Sequence, residues 1–171
     1  MGRRDAVEIV GFSTAIDRSG FRCGHPALDD WLRTQAGQQE RANNTRTFLA
    51  IDPSADGVAG YYATTAYRLE PDEAARVGGL GPRRYPVPAV LLARLAVDER
   101  HHGRGVGQRL LLHALEGIAD ASCRVGFEVV IVHAVDLDAV AFYARFGFTR
   151  FVGHDRHLFM TTKTLLATFA R

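Results

Sequence analysis

The sequence predicts a single α/β domain that extends over residues 1–171. Strand-like and helix-like segments alternate along the chain, and one apolar run late in the chain is typical of a strand buried on both faces. No internal repeat, linker or low-complexity tract divides the chain. A chain of this length can bury a substantial core, so one domain accounts for all of it.

The first half of the chain contains three predicted strands, at residues 7–12, 47–51 and 57–69. The last two form a hairpin, because the turn residues Asp52-Pro53-Ser54 separate them and β-favouring tyrosines occupy the second. A helix begins at Pro26, since proline suits the first helical position, and continues with helical spacing of its apolar residues to about Ala42.

Residues 70–89 are predicted to form a loop. A short helix over 72–77 is followed by glycines and prolines that forbid long regular structure. The dipeptide Arg83-Arg84 gives this loop a basic tip. Loops carry binding and catalytic residues more often than cores do, so the tip is a candidate for function.

After this loop the pattern is strand, helix, strand. Residues 90–97 form a predicted strand, and the helix over 106–124 places its apolar residues on one face. Residues 127–134 are apolar except at Glu128 and His133, which predicts a strand buried on both faces.

The C-terminal quarter holds one more helix and a closing strand pair. Asp136 is suited to cap a helix over 137–146, which Gly147 ends. Two strands follow, at residues 148–152 and 157–162.

Composition and segment lengths indicate a folded soluble protein. The chain is 47% hydrophobic and 23% charged, and no apolar run approaches the roughly 20 residues needed to span a bilayer. The N-terminal residues 1–6 lack the apolar segment of a signal peptide, and Ala6 does not fit a myristoylation motif. We therefore expect a cytoplasmic protein.

Cysteine and histidine patterns predict no metal site. Cys23 and Cys123 have no Cys-x-x-Cys neighbour, and we expect both to be small buried apolar residues. The seven histidines form no His-x-x-x-His pattern. His101 and His102 are expected to contribute backbone N–H groups rather than ligands, and His133 is expected to be a structural residue at a strand end.

Positive charge is concentrated in residues 81–109, where six arginines outnumber two acidic residues and give a local charge of +4. The planar guanidinium group binds two phosphate oxygens at once, so this segment favours a phosphate-bearing ligand. An arginine-rich source genome would give the same composition. The six arginines are Arg83, Arg84, Arg94, Arg100, Arg104 and Arg109.

A glycine-rich turn, Arg100-x-x-Gly103-x-Gly105-x-Gly107, joins the strand at 90–97 to the following helix. Glycines allow positive φ and close approach of a ligand, and backbone N–H groups at a helix N-terminus attract an anion. The spacing differs from the dinucleotide fingerprint Gly-x-Gly-x-x-Gly, and no lysine completes a phosphate-binding Walker loop. Two interpretations of the turn remain: a loop that binds the pyrophosphate of coenzyme A, and a strand-to-helix connection that binds no ligand.

Two segments carry a resemblance to a known family. Leu92 to Asp98, followed by Arg100, Gly103 and Gly105, resembles the acetyl-CoA motif of the GNAT superfamily of N-acetyltransferases. Ala141 to Phe148 resembles its second signature, an aromatic-bearing helix before a Gly-Phe turn. The resemblance implies a mixed, mostly antiparallel central sheet flanked by helices, with a splayed strand pair at the cofactor site.

The resemblance extends to one branch of the superfamily, the GNAT toxins of type II toxin–antitoxin systems, and covers roughly residues 7–163. It implies acetylation of the α-amine of aminoacyl-tRNA, which blocks translation, together with a ribbon-helix-helix antitoxin and a homodimer. His25 and the segment 137–140 depart from the pattern of this branch. The segments that carry the resemblance are 21–32, 45–49, 58–62, 88–98, 129–134 and 157–160.

Tyr143 is the predicted general acid. A phenol with an ordinary pKa of about 10 stays protonated at neutral pH and can protonate a thiolate leaving group. The resemblance implies that the strand edge at residues 95–97 presents a backbone N–H to the thioester carbonyl, an oxyanion-type contact. The predicted cofactor-binding residues are Leu95, Ala96, Val97, His102, Gly103, Arg104, Gly105, Val106, Gly107, Asp136 and Tyr143.

No general base stands out in the sequence. The α-amine beside the ester of aminoacyl-tRNA is more acidic than a lysine amine, so this acceptor needs none. Arg46, Arg83, Arg84 and Arg94 are the predicted tRNA phosphate contacts. Two alternatives stay open: an N-acetyltransferase for a small amine or a lysine, and an acetyl-CoA-binding protein without catalysis.

Overall fold

A computed structural model describes residues 7–169. The N-terminal segment on which the signal-peptide and myristoylation predictions were based lies outside the described residues. No helix within residues 7–169 is both long enough and apolar enough to cross a bilayer.

In the part of the chain that the structure describes, seven strands form a sheet in the order β1-β2-β3-β4-β5-β7-β6. The pairs β1–β2, β2–β3, β5–β7 and β6–β7 are antiparallel, whereas β4–β5 is parallel. The α/β class with a mixed, mostly antiparallel sheet is therefore confirmed. The strands are β1 (Glu8–Gly11), β2 (Arg46–Ile51), β3 (Val58–Leu69), β4 (Val87–Val97), β5 (Val129–His133), β6 (Thr149–Arg150) and β7 (His157–Thr161).

Six α-helices accompany the strands within the described residues. They are α1 (Pro26–Asp30), α2 (Ala36–Arg41), α3 (Pro71–Ala74), α4 (Val106–Ala121), α5 (Leu137–Arg145) and α6 (Thr162–Thr168). The helix predicted to begin at Pro26 is interrupted by a π-helical turn at Trp31–Gln35, and a 3₁₀ turn at Glu99–His101 follows β4. Parallel strands need a long crossover connection, and the chain between β4 and β5 contains α4.

The described chain divides into two compact units. The first contains residues 7–65 and 94–114. Its core packs the side chains of α1 and the π-helical turn against those of β2 and β3, and Leu32, Leu49 and Tyr61 have no exposed surface. Gly60 allows a close approach here, because a Cβ at this position would lie 2.9 Å from the carbonyl oxygen of Ala96.

The second unit contains residues 66–93 and 115–169. Val129, Val130, Ile131 and Val132 of β5 are fully buried, which confirms the prediction of a strand covered on both faces. The parallel register runs from Ala89 opposite Val129 to Leu92 opposite Val132. β4 itself continues to Val97, five residues beyond the last pair in this register.

The predicted helix cap at Asp136 is confirmed. Its Oδ1 accepts a hydrogen bond from the backbone N–H of Ala139 at 2.8 Å, at the N-terminus of α5. Gly147 has φ +92°, the left-handed conformation that glycine adopts readily after a helix.

Two predictions about local structure were wrong, and one helix was missed. The strand predicted from residue 90 begins at Val87, because Pro88 is exposed and its carbonyl accepts a hydrogen bond from the N–H of Glu128 at 2.9 Å. Cys123 is exposed, since it follows the end of α4, whereas Cys23 is buried as predicted. Helix α6 was not predicted; its cap is Thr161, whose hydroxyl accepts from the N–H of Thr164 at 3.2 Å.

Candidate functional site

The end of β4 is fixed by a buried carboxylate. Asp98 is 1% exposed and accepts hydrogen bonds from the backbone N–H of Arg22 at 3.1 Å and of Arg100 at 2.9 Å. The Nε of Arg100 donates to the same side chain at 2.9 Å. Burial alone would raise the pKa of Asp98, but these hydrogen bonds hold it below its ordinary value. The first residues after β4 therefore have a defined path.

His101 and Asp52 form a second buried contact in the same segment. The Nε2 of His101 lies 2.9 Å from Oδ2 of Asp52, and both side chains are less than one-tenth exposed. Hydrogen bonds from Ser54, followed by the one from His101, lower the pKa of Asp52 to about 2. Asp52 is therefore ionised at physiological pH, and it joins the β2–β3 turn to the 3₁₀ turn.

His102 also fastens this segment. Its Nε2 lies 2.8 Å from the carbonyl oxygen of Val97, and because a carbonyl can only accept, Nε2 carries the proton. The side chain of His102 is otherwise exposed. Residues 98–102 are therefore held by side-chain hydrogen bonds at three successive points.

The glycine-rich turn that follows exposes its backbone. Gly103 and Gly105 have φ +74° and +78°, and nothing lies within 4 Å of the Cβ position at either residue. Both are exposed, as is Arg104 between them. Val106 is buried and begins α4, a helix of 16 residues. Open N–H groups before a helix N-terminus, beside a free guanidinium, fit the pyrophosphate of coenzyme A.

The strand edge predicted to bind the acetyl group lies at the end of β4. Ala96 is 6% exposed, and Leu95 and Val97 are half-buried. Their side chains thus belong partly to the core, whereas the backbone groups of the edge are the predicted contacts to the thioester. This assignment stays a prediction.

Tyr143 lies on α5 in the second unit. It is 5% exposed, and its ring meets those of Phe142 and Phe148 edge to face, with centroids 5.3 and 5.7 Å apart. Burial raises the pKa of Tyr143 above its ordinary value, so the phenol stays protonated at neutral pH. The predicted protonation state of the general acid is thus consistent with its surroundings.

Arg94, on β4, stacks on an aromatic pair. Its guanidinium carbon lies 4.3 Å from the Trp31 ring centroid, and the Trp31 and Tyr61 rings are parallel within 8°, 5.9 Å apart. Burial lowers the pKa of Arg94 below its ordinary value. No carboxylate pairs with Arg94 within residues 7–169. Sequence reasoning missed Trp31 and Tyr61 as parts of this feature, since 30 positions separate them.

The other three predicted tRNA-contacting arginines differ in their pairing. Arg46 donates to Asn43 at 2.6 Å and to Glu40 at 3.5 Å. Arg83 forms a two-point pair with Glu128 at 3.0 and 2.7 Å. Arg84 is exposed. An arginine that already holds a carboxylate has to release or share it to bind phosphate, so Arg84 and Arg94 are the better placed.

Three imidazoles form a stack in the second unit. The ring centroids of His133 and His157 are 4.0 Å apart, and those of His154 and His157 are 4.4 Å apart. Packing desolvates His133 and, with the nearby charge of His157, lowers its pKa to about 4. In the described part of the chain, no three histidine, cysteine, aspartate or glutamate side chains are grouped so that they could hold a metal ion.

An open mixed sheet with a glycine-rich strand-to-helix turn and an aromatic helix defines an acyltransferase of the coenzyme A-dependent class. Residues 43–150 match the family described as acetyltransferase (GNAT) domain. The chain belongs to this family and is an N-acetyltransferase.

Similar proteins support the toxin branch. A tRNA-acetylating toxin of Mycobacterium tuberculosis is 36% identical over 153 residues, which cover 88% of this chain and 89% of the relative. The solved AtaT toxin complexed with acetyl-methionyl-tRNAfMet superimposes with TM-score 0.84 at 28% identity, covering 96% of this chain and 99% of that one. The resemblance stated from the sequence is therefore confirmed.

A further solved relative is a tyrosine-to-phenylalanine mutant of AtaT bound to the C-terminus of the antitoxin AtaR and to acetyl-CoA. It matches with TM-score 0.81 and 28% identity, and covers 98% of this chain and 100% of that one. The mycobacterial relative covers 88% of this chain, and the two solved structures cover 96% and 98% of it.

Proposed function

We propose that this N-acetyltransferase transfers the acetyl group of acetyl-CoA to the α-amine of aminoacyl-tRNA and thereby blocks translation, as a toxin. The observation that carries the proposal is the 36% identity to a tRNA-acetylating toxin over 88% of the chain. The acetyl-CoA-bound and acetyl-methionyl-tRNA-bound relatives support the cofactor and the acceptor.

The residues that hold acetyl-CoA are those of the β4 edge and the glycine-rich turn. Backbone N–H groups of residues 103–107 bind the pyrophosphate, and the exposed Arg104 adds charge to this contact. A backbone N–H of residues 95–97 polarises the acetyl carbonyl. His102 holds the carbonyl of Val97, which orients this edge. Asp136 completes the predicted set, while its Oδ1 caps α5.

Tyr143 supplies the proton of the reaction. Acetyl-CoA brings an activated acetyl group as a thioester. As the acceptor nitrogen bonds to the acetyl carbon, the carbon–sulfur bond breaks and its electron pair remains on sulfur. The hydroxyl of Tyr143 donates its proton to that sulfur. Because burial raises the pKa of Tyr143, this hydroxyl carries its proton at neutral pH.

The acceptor amine needs no strong base from the protein. An α-amino group has an ordinary pKa of about 7.7–8.0, so a substantial fraction is neutral near physiological pH. A lysine amine, with an ordinary pKa of about 10.4, is almost fully protonated there and would need a base. Four arginines, Arg46, Arg83, Arg84 and Arg94, contact tRNA phosphates in this proposal.

The proposed partners are a ribbon-helix-helix antitoxin and a second copy of the chain in a homodimer, in the cytoplasm. The AtaT–AtaR complex supports an antitoxin partner, because that relative covers nearly all of this chain. Size-exclusion chromatography with light scattering tests the dimer, and coexpression with a neighbouring small gene tests the antitoxin.

The function is tested by following the label from radioactive acetyl-CoA. Wild-type protein is supplied in parallel with charged tRNA, the same tRNA uncharged, a lysine-containing protein mixture and small amines. We expect label on charged tRNA alone, recovered as an N-acetylaminoacyl group after mild alkaline release. Label on protein or small amines, with charged tRNA unlabelled, contradicts the toxin activity and favours the alternative acceptor.

A further inference from the structure

We propose that His101 and Asp52 are a positioning pair that sets the path of the glycine-rich turn and so determines affinity for the pyrophosphate of coenzyme A. This inference rests on the proposed function, since it names residues that act through the coenzyme A loop. Neither residue belongs to the predicted cofactor contacts.

The pair is built to hold one geometry. Oδ1 of Asp52 accepts hydrogen bonds from the backbone N–H of Ser54 at 2.8 Å and from its hydroxyl at 2.7 Å. These bonds fix the carboxylate so that Oδ2 meets Nε2 of His101 at 2.9 Å. His101 is 5% exposed and Asp52 is 6% exposed. A buried carboxylate that loses its partner is costly, so the contact resists displacement.

The position of His101 in the chain connects this contact to the turn. His101 precedes Gly103 by two residues, and its backbone N–H donates to the carbonyl of Asp98 at 2.9 Å. From Gly103 to Gly105 the turn is exposed and has no side-chain atom near its glycines. The path of this exposed backbone is therefore set by the anchored residues that precede it.

His101 uses only one of its ring nitrogens. Nδ1 is buried and has no hydrogen-bond partner among residues 7–169, and it lies 4.0 Å from Oδ1 of Asp98, beyond hydrogen-bond distance. A glutamine amide can place its nitrogen near the position of Nε2 and donate to Asp52. We therefore expect His101→Gln to preserve the positioning role and His101→Leu to abolish it.

The experiment measures binding rather than turnover. Calorimetry gives the Kd of coenzyme A. Competition by S-acetylpantetheine, which lacks the pyrophosphate, gives the affinity of the protein for the acetylated pantetheine arm alone. We expect His101→Leu to weaken coenzyme A binding by about tenfold or more, because it leaves the buried Asp52 carboxylate without this partner and the segment before the turn without this anchor. Affinity for S-acetylpantetheine is expected to change less than about twofold, and His101→Gln to restore coenzyme A binding.

A second variant keeps the test informative if His101→Leu does not fold. Ser54 donates to Oδ1 of Asp52 and His101 meets Oδ2. Asparagine has an oxygen at only one of these two positions, so Asp52→Asn cannot accept from both residues. It is expected to weaken coenzyme A without weakening S-acetylpantetheine. The matched control is His113→Leu. His113 lies on α4, and its Nδ1 forms a hydrogen bond with the Tyr62 hydroxyl at 2.7 Å. Its replacement is expected to change thermal stability only.

The outcomes separate the two proposals. If wild-type protein binds no coenzyme A, the proposed function fails. If wild type binds it and folded His101→Leu binds it equally well, the positioning role is overturned. Equal losses for coenzyme A and S-acetylpantetheine, or a His101→Gln variant as weak as His101→Leu, also overturn it, because the contact to Asp52 would then not act through the pyrophosphate loop.

Discussion

The guanidinium of Arg94 stacks on the ring of Trp31 at 4.3 Å, and Trp31 is the first residue of the π-helical turn. Two unusual features therefore meet at one residue. π-Helical turns are frequently found at functional sites, and a half-buried arginine without a carboxylate partner in residues 7–169 retains capacity for an external anion. The stack holds the cation while it leaves the hydrogen-bonding edge of the guanidinium unpaired.

We expect Arg94→Gln to raise the KM for charged tRNA without raising the KM for acetyl-CoA. If Arg94 contacts one phosphate, its loss lowers the slope of log KM against log salt by about 0.7–0.9. Arg94→Lys keeps the charge but loses the planar stack on Trp31, and an intermediate KM is expected. Arg68→Gln is the control, since Arg68 is exposed and paired with Glu70 at 3.0 Å. An unchanged salt slope in Arg94→Gln removes this residue from the tRNA contacts.

The glycine-rich turn predicts a backbone effect on cofactor binding. Gly103 and Gly105 have positive φ, where a side chain costs about 1–2 kcal/mol. We expect Gly103→Ala and Gly105→Ala to weaken coenzyme A by about tenfold, because the strained turn relaxes away from the conformation that aligns its N–H groups. Calorimetry with coenzyme A measures the loss.

Gly117 provides the matched control for the turn. It lies within α4, has no positive φ and has nothing within 4 Å of its Cβ position. Gly117→Ala is expected to stabilise the protein by about 1 kcal/mol, since alanine is the better helix former, and to leave the Kd of coenzyme A unchanged. If Gly103→Ala and Gly105→Ala bind coenzyme A as tightly as Gly117→Ala, the conformation of the turn does not govern binding.

Replacement of Tyr143 by phenylalanine is expected to lower kcat by about 10²–10⁴-fold, the usual contribution of general acid–base catalysis. The buried ring is retained, so the affinity for coenzyme A and the thermal stability are expected to change little. Tyr85→Phe is the control, because Tyr85 is 73% exposed. Full activity of Tyr143→Phe would assign proton donation to another group.

The pKa of Tyr143 also sets an expectation for the pH profile. Because burial raises this pKa above the ordinary value of about 10, the phenol stays protonated throughout the range below pH 10. The rate with an α-amine acceptor should therefore rise with pH as the amine is deprotonated near pH 8 and then stay level to pH 10. A decline between pH 8 and 10 in wild type that is absent from Tyr143→Phe would show that Tyr143 loses its proton in this range, which contradicts the raised pKa.

Much of this fold could be predicted because its signals are local. The cap at Asp136, the end of α5 at Gly147 and the fully buried β5 depend on neighbouring residues, and each was confirmed. The glycine-rich turn could likewise be predicted, since the strand, the spaced glycines and the helix follow one another directly in the sequence.

Features that depend on distant residues could not be predicted. His101 and Asp52 are 49 positions apart, so the sequence around either residue does not predict their contact. The π-helical turn inserts a different hydrogen-bond period into a stretch whose apolar spacing is simply helical. Pro88 lies within a strand because only its carbonyl is needed there, a fact that depends on the partner residue Glu128.

The imidazole stack predicts how stability depends on pH. His133 and His157 are paired across β5 and β7, and the groups that influence them are His154, Glu73 and Arg156. The pKa of His133 is about 4 in the folded protein and about 6.5 in an unfolded chain. As the pH falls from 6.5 to 4, the unfolded chain takes up the proton first, so the folded state loses stability over this window.

We expect the free energy of unfolding of wild type to decrease from pH 6.5 to pH 4, and that of His133→Phe to decrease less, because phenylalanine keeps a ring in the stack without a titrating group. Phe151→Leu is the control, since the Phe151 ring meets His157 edge-on at 5.9 Å but carries no charge. It is expected to lower stability equally at every pH. Urea unfolding at half-unit pH steps gives the three curves, and parallel curves for wild type and His133→Phe would mean that the stack does not couple protonation to folding.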